Sequence, residues 1–234
     1  MDPAAAQLAN AVTERVIIPV KGGIDDWKEQ LKSMLQVLQN QPGYLRTRWG
    51  PWSEDPQKLE LLAGWINAEA SEAWKRTKDY ADAMAKLAPV LSGQPTSYLL
   101  QFKPFAPQAI INSPIVETLS FEGCREPEER MREIVERAKA MPGCNGAASG
   151  FSLCRNSSGG GGPSSSGNTS SSSMASGSVS LVGGGNGGRT FVAVIGWTGV
   201  EASRRANKAA YTGGMKTESH HVNFAFPVKG FGGL

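Results

Sequence analysis

The stretch Gly64-Trp65-Ile66-Asn67-Ala68-Glu69-Ala70-Ser71 returns as Gly196-Trp197-Thr198-Gly199-Val200-Glu201-Ala202-Ser203, with Gly, Trp, Glu, Ala and Ser all 132 positions further on. An earlier landmark, Pro42-Gly43, returns as Pro142-Gly143, only 100 positions further on. The 32 residues gained between the two landmarks match a Gly/Ser-rich run at 156–188. Without that run the chain consists of two similar units, and such a repeat constrains the fold before local propensity does.

Composition indicates a soluble protein with two small domains. The chain has 234 residues, of which 40% are hydrophobic, and a net charge of +3. This length suits two domains of about 100 residues each, and so mild a charge does not require nucleic acid or a membrane as partner. The sequence shows no signal peptide or membrane span. Its three cysteines lack CxxC spacing, which is typical of reduced thiols. We expect a cytoplasmic protein.

The first unit, residues 10–106, has the pattern β-α-β-β-α-β. A β-branched run predicts the first strand. Apolar residues at helical spacing then predict a helix that ends at Pro42-Gly43. The predicted strands cover 12–20, 44–52, 59–65 and 97–105, and the second predicted helix covers 69–87.

The second unit, residues 112–230, repeats the order. Its predicted strands cover 115–121, 147–154, 190–197 and 219–228, and its helices cover 126–140 and 200–211. The Gly/Ser-rich insert at 156–188 interrupts this unit. It has too little apolar surface to offset the entropy of ordering, so we expect it to be disordered.

Two β-α-β-β-α-β units predict an α+β protein made of two tandem ferredoxin-like folds. Each unit has a four-stranded antiparallel sheet with both helices on one face. The two open faces can cover each other, with the helices outside, and form a pseudo-dimeric α+β barrel with a cavity between the sheets. The intact chain is then a monomeric pseudo-dimer or a homodimer of such barrels.

The Gly-Trp at the end of each third strand, with Glu-Ala on the next helix, resembles the antibiotic biosynthesis monooxygenase (ABM) family of dimeric α+β barrels. The tandem arrangement resembles the fungal type of this superfamily. The resemblance implies an oxygenase that acts without a cofactor on a small lipophilic metabolite, such as an aromatic polyketide or a jasmonate-like oxylipin. Related barrels cyclise polyketides, and others degrade haem.

The resemblance also implies that Trp65 and Trp197 contact the substrate, although a core position would explain both. Haem-degrading members carry an iron-binding His on the following helix. The corresponding positions here are Lys75 and Asn207, which do not bind haem iron. This departure counts against haem degradation.

Polar residues on the first and last strands of the units are candidates for proton transfer. Glu14 and Glu117 occupy equivalent places in the two first strands, and a carboxylate in an apolar cavity can act as a base. Alternation leaves open which strand face is inward. On the last strand, His221 shares a face with Asn223, while His220 points the other way. His220 corresponds to Tyr98 of the first unit.

Two adjacent histidines on opposite faces cannot bind one metal ion, and the sequence has no other histidine. We therefore predict a metal-free, cofactor-free monooxygenase whose partners are a small substrate and molecular oxygen. In this hypothesis His221, Asn223 and Glu117 are catalytic, and Trp65, Trp197, Tyr98 and His220 bind substrate. The site lies between the sheets near Trp197.

A cyclase and a non-catalytic ligand carrier are the alternatives. RNA-recognition domains of the same topology stack bases on aromatic residues of their central strands. Here, ahead of their terminal Trp, the two third strands offer only Phe191, which counts against RNA binding.

Overall fold

The computed structural model describes residues 9–104, 108–153, 180–181 and 189–224. The first unit consists of eight elements in chain order. They are β1 (Val12–Pro19), α1 (Ile24–Gln39), β2 (Tyr44–Pro51), β3 (Lys58–Trp65), α2 (Ala68–Lys75), α3 (Lys78–Leu87), a 3₁₀ turn (Ala88–Val90) and β4 (Thr96–Leu100).

A short helix, α4 (Gln108–Ile111), precedes the second unit. The elements that follow are β5 (Ile115–Cys124), α5 (Glu128–Glu136), a 3₁₀ turn (Arg137–Ala140), β6 (Cys144–Phe151), β7 (Ser180–Leu181), β8 (Arg189–Trp197), α6 (Val200–Arg205), α7 (Lys208–Thr212) and β9 (Glu218–Val222). The unit boundaries at 106 and 230 fall outside the described residues and stay predictions.

Each unit forms one antiparallel sheet, with strand order β2-β3-β1-β4 in the first and β6-β8-β5-β9 in the second. In each sheet the first strand of the unit lies between the third and the fourth. This is the ferredoxin-like order, so the predicted α+β class is confirmed. No described helix is long and apolar enough to span a membrane.

The second helix of each unit is shorter than predicted, because it is divided in two. In the first unit Thr77 lies at the break: its hydroxyl donates to the Trp74 carbonyl and accepts from the Tyr80 amide. A threonine that serves both helix ends stops one helix and starts the next. In the second unit the division falls at Ala206 and Asn207.

The insert is described only at Ser180–Leu181. These two residues form β7 and pair in parallel with Thr96 and Ser97 of β4. A segment expected to pack on nothing therefore adds a short strand to the first sheet. The other residues of the insert lie outside the described part of the chain, and their disorder stays a prediction.

The two sheets face each other and enclose a common core. Its apolar side chains come from both units and include Leu62, Leu100, Val116, Val192 and Val222. Each unit also has a core of its own, between its sheet and its helices. The helices are therefore outside, as the barrel hypothesis required.

A buried ion pair occupies the space between the sheets. The Arg15 guanidinium donates to both oxygens of Glu60, at 2.8 and 3.0 Å, and reaches the opposite sheet at Ser120 and Thr118. Burial works against the charged form of Arg15, but the charge and hydrogen bonds of Glu60 outweigh it and raise the pKa of the guanidinium. Glu60 also accepts from the Trp52 indole at 2.9 Å. Polar and apolar side chains thus fill the region where a substrate cavity was expected.

Both seams between the sheets are closed by backbone contacts. At the first seam Trp52 bridges Val222, and the Ser53 amide donates to the His221 carbonyl at 2.8 Å. At the second seam Leu100 bridges Ser152. The eight strands other than β7 therefore form a closed barrel from one chain.

Equivalent glycines permit this closure. A Cβ on Gly50 would lie 2.3 Å from the Asn223 carbonyl oxygen, and a Cβ on Gly150 would lie 2.1 Å from that of Gln101. Backbone oxygens cannot move aside as flexible side chains do. Each seam thus requires a residue without a side chain.

Replacement of either seam glycine by alanine should destabilise the barrel. We expect Gly50→Ala and Gly150→Ala each to lower the free energy of unfolding by about 2 kcal/mol or more, as overpacking does. Gly64→Ala is the matched control, because its Cβ would meet its nearest neighbour at an ordinary 3.5 Å. Urea unfolding measures all three. Equal effects at Gly50, Gly150 and Gly64 would contradict this account of the seams.

Candidate functional site

Strand alternation places the candidate residues on two different faces. Glu14, Glu117, Trp65 and Trp197 all lie on the helix-facing sides of their sheets, with both indole rings fully buried. Trp197 therefore lies on the helix side of its sheet and does not face the space between the sheets, which was the position expected from sequence. The structure presents two equivalent helix-side clusters, one in each unit.

In the second unit Glu117 is surrounded by donors. Its Oε2 accepts from the Trp197 indole, the Ser203 hydroxyl and the Tyr211 hydroxyl at 3.1–3.2 Å. Its Oε1 accepts from Ser219 and lies 2.9 Å from the Lys208 ammonium. Burial raises the pKa of Tyr211 well above its usual range, and the negative charge of Glu117 adds to that effect. Tyr211 is thus held as a neutral donor.

Ser203 links this cluster to the first unit. Its hydroxyl lies 2.8 Å from His221 Nε2, and His221 Nδ1 lies 2.5 Å from Glu54 Oε1 in the β2–β3 loop. The order Ser-His-Glu is that of hydrolytic triads. Here, however, the serine hydroxyl also contacts Glu117, and the serine is buried. Glu54, His221, Ser203 and Glu117 therefore form a brace across the first seam.

In the first unit Glu14 has fewer partners. Its Oε2 accepts from the Ser71 hydroxyl at 3.0 Å, and its Oε1 lies 2.7 Å from the Lys75 ammonium. The indole of Trp65 does not reach a hydrogen-bond acceptor among the described residues. Glu14 and Glu117 are equivalent in sequence position but differ in the number of groups that surround them.

Glu14 also lines a cavity, of about 50 Å³, between the first sheet and its helices. The other lining residues are almost all apolar: Val16, Ile18, Met34, Leu38, Leu61, Ala63, Trp74, Tyr80, Ala83, Met84, Leu87 and Pro95. Trp74 and Tyr80 meet edge to face at 5.3 Å. A carboxylate in the wall of an apolar cavity is placed to exchange a proton with a lipophilic ligand bound there.

The remaining predicted residues lie elsewhere. His220 is in the barrel interior, where its ring stacks on Trp52 with centroids 3.3 Å apart. Tyr98 is buried on the same side of its own sheet. Asn223 follows β9 at the first seam, with its carbonyl over Gly50. Of the seven predicted residues, the structure brings Glu117, Trp197 and His221 into one cluster, with Ser203 between Glu117 and His221.

Sequence reasoning missed the residues that complete both clusters. Ser71 and Ser203 belong to the repeated Glu-Ala-Ser, but nothing in that motif showed that they bind the strand carboxylates. From sequence, Lys75 stands out only as the counterpart of a haem ligand. Among the described residues there is no group of three or more His, Cys, Asp or Glu that could hold a metal ion.

Comparison with known proteins bears on this geometry. Residues 15–86 match the family described as antibiotic biosynthesis monooxygenase. They extend from β1 into α3 and include most of the cavity wall. No curated protein matches the chain. The match of the first unit to this family model confirms the predicted resemblance over these residues and supports a general monooxygenase role.

Solved structures extend the likeness to the whole barrel. An anthrone oxidase-like protein has a TM-score of 0.61 at 8% identity, with 92% of each chain covered. A candidate monooxygenase from Fusobacterium nucleatum has a TM-score of 0.54 at 10% identity, again with 92% of each chain covered. A candidate monooxygenase from Lactobacillus acidophilus NCFM has a TM-score of 0.52 at 10% identity and covers 91% of this chain and 93% of its own. These likenesses show the shared fold.

Trp197 should contribute more to the stability of the folded protein than Trp65 does. Trp197→Phe removes a hydrogen bond to a buried carboxylate, worth about 1.5–3 kcal/mol, whereas Trp65→Phe removes an indole N–H without an acceptor among the described residues. We expect Trp197→Phe to lower the free energy of unfolding by that much more than Trp65→Phe does. Urea unfolding of both variants measures the difference. A larger loss for Trp65→Phe would refute it.

The brace should weaken in acid. Partial burial works to raise the pKa of Glu54, but hydrogen bonds from the His221 amide and ring outweigh it and lower the pKa below its usual value of 4.5. A lowered folded-state pKa adds stability above the unfolded-state pKa, and this is lost as pH falls through the folded-state value. Near neutral pH the free energy of unfolding of the wild type should exceed that of Glu54→Gln by at most about 1 kcal/mol. This difference in stability should shrink below pH 4.5. Urea unfolding across pH tests this; a constant difference would disprove it.

Proposed function

We propose that this protein is a cofactor-independent monooxygenase that oxygenates a small lipophilic metabolite in the cavity of the first unit. The observation that carries the proposal is the composition of the cavity wall, where Glu14 is a buried carboxylate among apolar side chains. The ABM match over residues 15–86 supports the same location. Candidate substrates are aromatic polyketides and oxylipins with an enolisable or phenolic group.

The reaction can be written with the substrate as the only reductant. Glu14 takes a proton from an activated CH₂ group, and the carbanion transfers its electrons to O₂ and forms a carbon-bound peroxide. Loss of the second hydrogen then breaks the O–O bond. One oxygen atom remains as a ketone and the other leaves as water. An apolar wall favours this sequence, because it keeps water away from the carbanion.

The cavity must enlarge to hold such a substrate, since about 50 Å³ accommodates little more than a water molecule. Two features of the wall permit this. Met34 and Met84 are unbranched and adapt their shape readily. Tyr80, Met84 and Leu87 lie on α3, which is separated from α2 by the break at Thr77. Movement of α3 would open the cavity without disturbing the sheet.

The second-unit cluster is a weaker candidate for proton transfer. Glu117 already faces five donor groups, and His221 is held between Ser203 and Glu54. A base with its lone pairs occupied must first give up those bonds. We therefore assign proton transfer to Glu14, and catalysis by His221 or Asn223 becomes an alternative outcome of the experiment.

Oxygen uptake tests the proposal. Protein shown to be free of haem, flavin and metal is offered an anthrone, a polyketide-type phenol and a jasmonate-type acid in an oxygen electrode. Glu14→Gln should lower kcat/KM by a factor of about 100 or more, as loss of a general base does. Glu69→Gln, at an exposed carboxylate on α2, should leave it unchanged.

Other results would overturn the proposal in distinct ways. Activity lost in His221→Gln but retained in Glu14→Gln would assign the reaction to the second unit. Product formed without oxygen would identify a cyclase. Stoichiometric binding of a lipophilic ligand without turnover would identify a carrier. Activity only after addition of haem or flavin would refute the cofactor-free reaction.

A further inference from the structure

We infer that Glu54, His221 and Ser203 form a proton relay through which the buried carboxyl of Glu117 exchanges protons with solvent. The second unit thereby holds an acid–base centre of its own. This exchange is with water and is separate from proton transfer to a substrate, which the proposed function assigns to Glu14. The inference does not depend on the oxygenase reaction.

The first observation is an unbroken chain of side-chain contacts from the surface to Glu117. Glu54 Oε1 lies 2.5 Å from Nδ1 of His221, whose Nε2 lies 2.8 Å from the Ser203 hydroxyl. That hydroxyl lies 3.1 Å from Glu117 Oε2. The exposed fraction of the side chain falls along this chain, from 43% at Glu54 to 12% at His221 and 1% at Glu117. The contacts therefore join a group that water reaches to a carboxyl that is buried.

The second observation is that every member of the chain can both donate and accept a hydrogen bond. When Glu54 passes a proton to His221 Nδ1, the imidazole releases its Nε2 proton to the oxygen of Ser203. The serine releases its own hydroxyl proton to Glu117 Oε2 in the same step, because an alcohol near neutral pH holds neither two protons nor none. Glu54 is then an anion that recovers its proton from water, and Glu117 is neutral. No bond between heavy atoms forms or breaks, and all three hydrogen bonds have reversed their direction.

The other partners of Glu117 do not offer an equivalent route. The Trp197 indole can only donate. Burial raises the pKa of Tyr211, and the charge of Glu117 adds to this effect, so the phenol keeps its proton. Ammonium groups such as that of Lys208 hold their protons at neutral pH. The Ser219 hydroxyl bonds to Glu117 Oε1, but no other described side chain bonds to Ser219 and could replace its proton.

The first unit provides the comparison, because it has the same carboxylate and serine without the relay. Ser71 donates to Glu14 at 3.0 Å, as the serine of the second unit does to its carboxylate. In the second sheet the strand residue paired with the carboxylate is His221, whereas Leu99 is paired with Glu14 in the first. A leucine carries no proton. Ser71 therefore has no neighbour on that strand from which it could recover one.

Time-resolved infrared spectroscopy tests the relay on the whole chain. A photolabile acid releases protons on illumination, and the C=O stretch of a protonated carboxyl group then reports on Glu117. The band is assigned by its loss in Glu117→Gln or its shift in Glu117→Asp. We expect Ser203→Ala to slow both the rise of the band and its decay on return to neutral pH by a factor of about 10 or more. A merely structural contact would instead change how much of Glu117 is protonated, without slowing both directions.

Matched variants separate the relay from other routes to Glu117. Ser71→Ala removes the equivalent hydroxyl of the first unit, and Ser219→Ala removes the other hydroxyl at Glu117. Lys208→Arg retains the positive charge but does not release a proton. Because none of these side chains belongs to the relay, each variant should protonate Glu117 within about twofold of the wild-type rate.

Chemical rescue tests the role of the imidazole. His221→Ala should slow the protonation of Glu117 as much as Ser203→Ala does. Added imidazole carries protons near neutral pH and should restore the rate, whereas pyrazole, a much weaker base of the same size, should not.

The wild type gives an independent measurement in mixtures of light and heavy water. More than one proton moves when the serine accepts one and releases another. The rate of protonation of Glu117, plotted against the deuterium fraction of the solvent, should therefore curve. Exchange of a single proton with a water molecule would give a straight line.

The inference fails on any of the following results: no infrared band that substitution of Glu117 removes or shifts, a wild-type rate in Ser203→Ala, equal slowing in Ser219→Ala or Lys208→Arg, rescue by pyrazole as good as by imidazole, or a straight deuterium plot. The deuterium plot uses the wild type, so it decides the matter even if a relay variant fails to fold. No substrate is present in these measurements. Their failure would therefore refute the relay and leave the proposed monooxygenase untouched.

Discussion

The buried ion pair between Arg15 and Glu60 is the interaction on which the arrangement of the two units depends. It lies between the sheets, and its hydrogen bonds reach both of them. Removal of one partner from such a pair usually costs about 3–5 kcal/mol, because the other charge stays buried alone. The equivalent positions in the second unit are Thr118 and Val192, so the pair is one-sided. The pair can form when a first unit faces a second unit. Two identical first units face to face would bring two such charged pairs together, which is unfavourable.

A filled barrel interior has a consequence for chemistry. Because Arg15, Glu60 and their neighbours occupy the space between the sheets, the remaining candidate sites lie on the helix sides. There the duplication supplied two copies of one arrangement, a strand carboxylate with a serine and a lysine from the next helices. Around Glu117 the copy is closed by Tyr211 and tied to the seam through His221. Around Glu14 it retains a cavity, so the two copies have diverged in surroundings rather than in their central carboxylate.

Much of the fold could be predicted from sequence, whereas the site could be predicted only in part. The repeated Gly-Trp and Pro-Gly landmarks establish the number and order of elements, and alternation correctly groups Glu14 with Val16 and Ile18. Which face is inward could not be predicted, because both faces of each sheet are buried in a barrel with outer helices. A sheet with one solvated face shows alternating apolar and polar residues, and that alternation is missing here. Arg15 in an otherwise apolar strand was the available clue, and it needed Glu60 as its partner. The contacts of Lys75, Ser203 and Glu54 depend on tertiary distances that have no local pattern.

The glycines at the two seams have a consequence beyond packing. Because Gly50 and Gly150 let the outer strands of both sheets meet, the closure joins parts of one polypeptide, and its probability is set by an effective concentration instead of by the amount of protein present. Barrels assembled from separate subunits weaken on dilution. The assembly of a tandem barrel does not depend on protein concentration. Its two halves are also encoded separately, so a mutation in one half is not repeated in the other. Each half can therefore change without preserving a self-complementary surface.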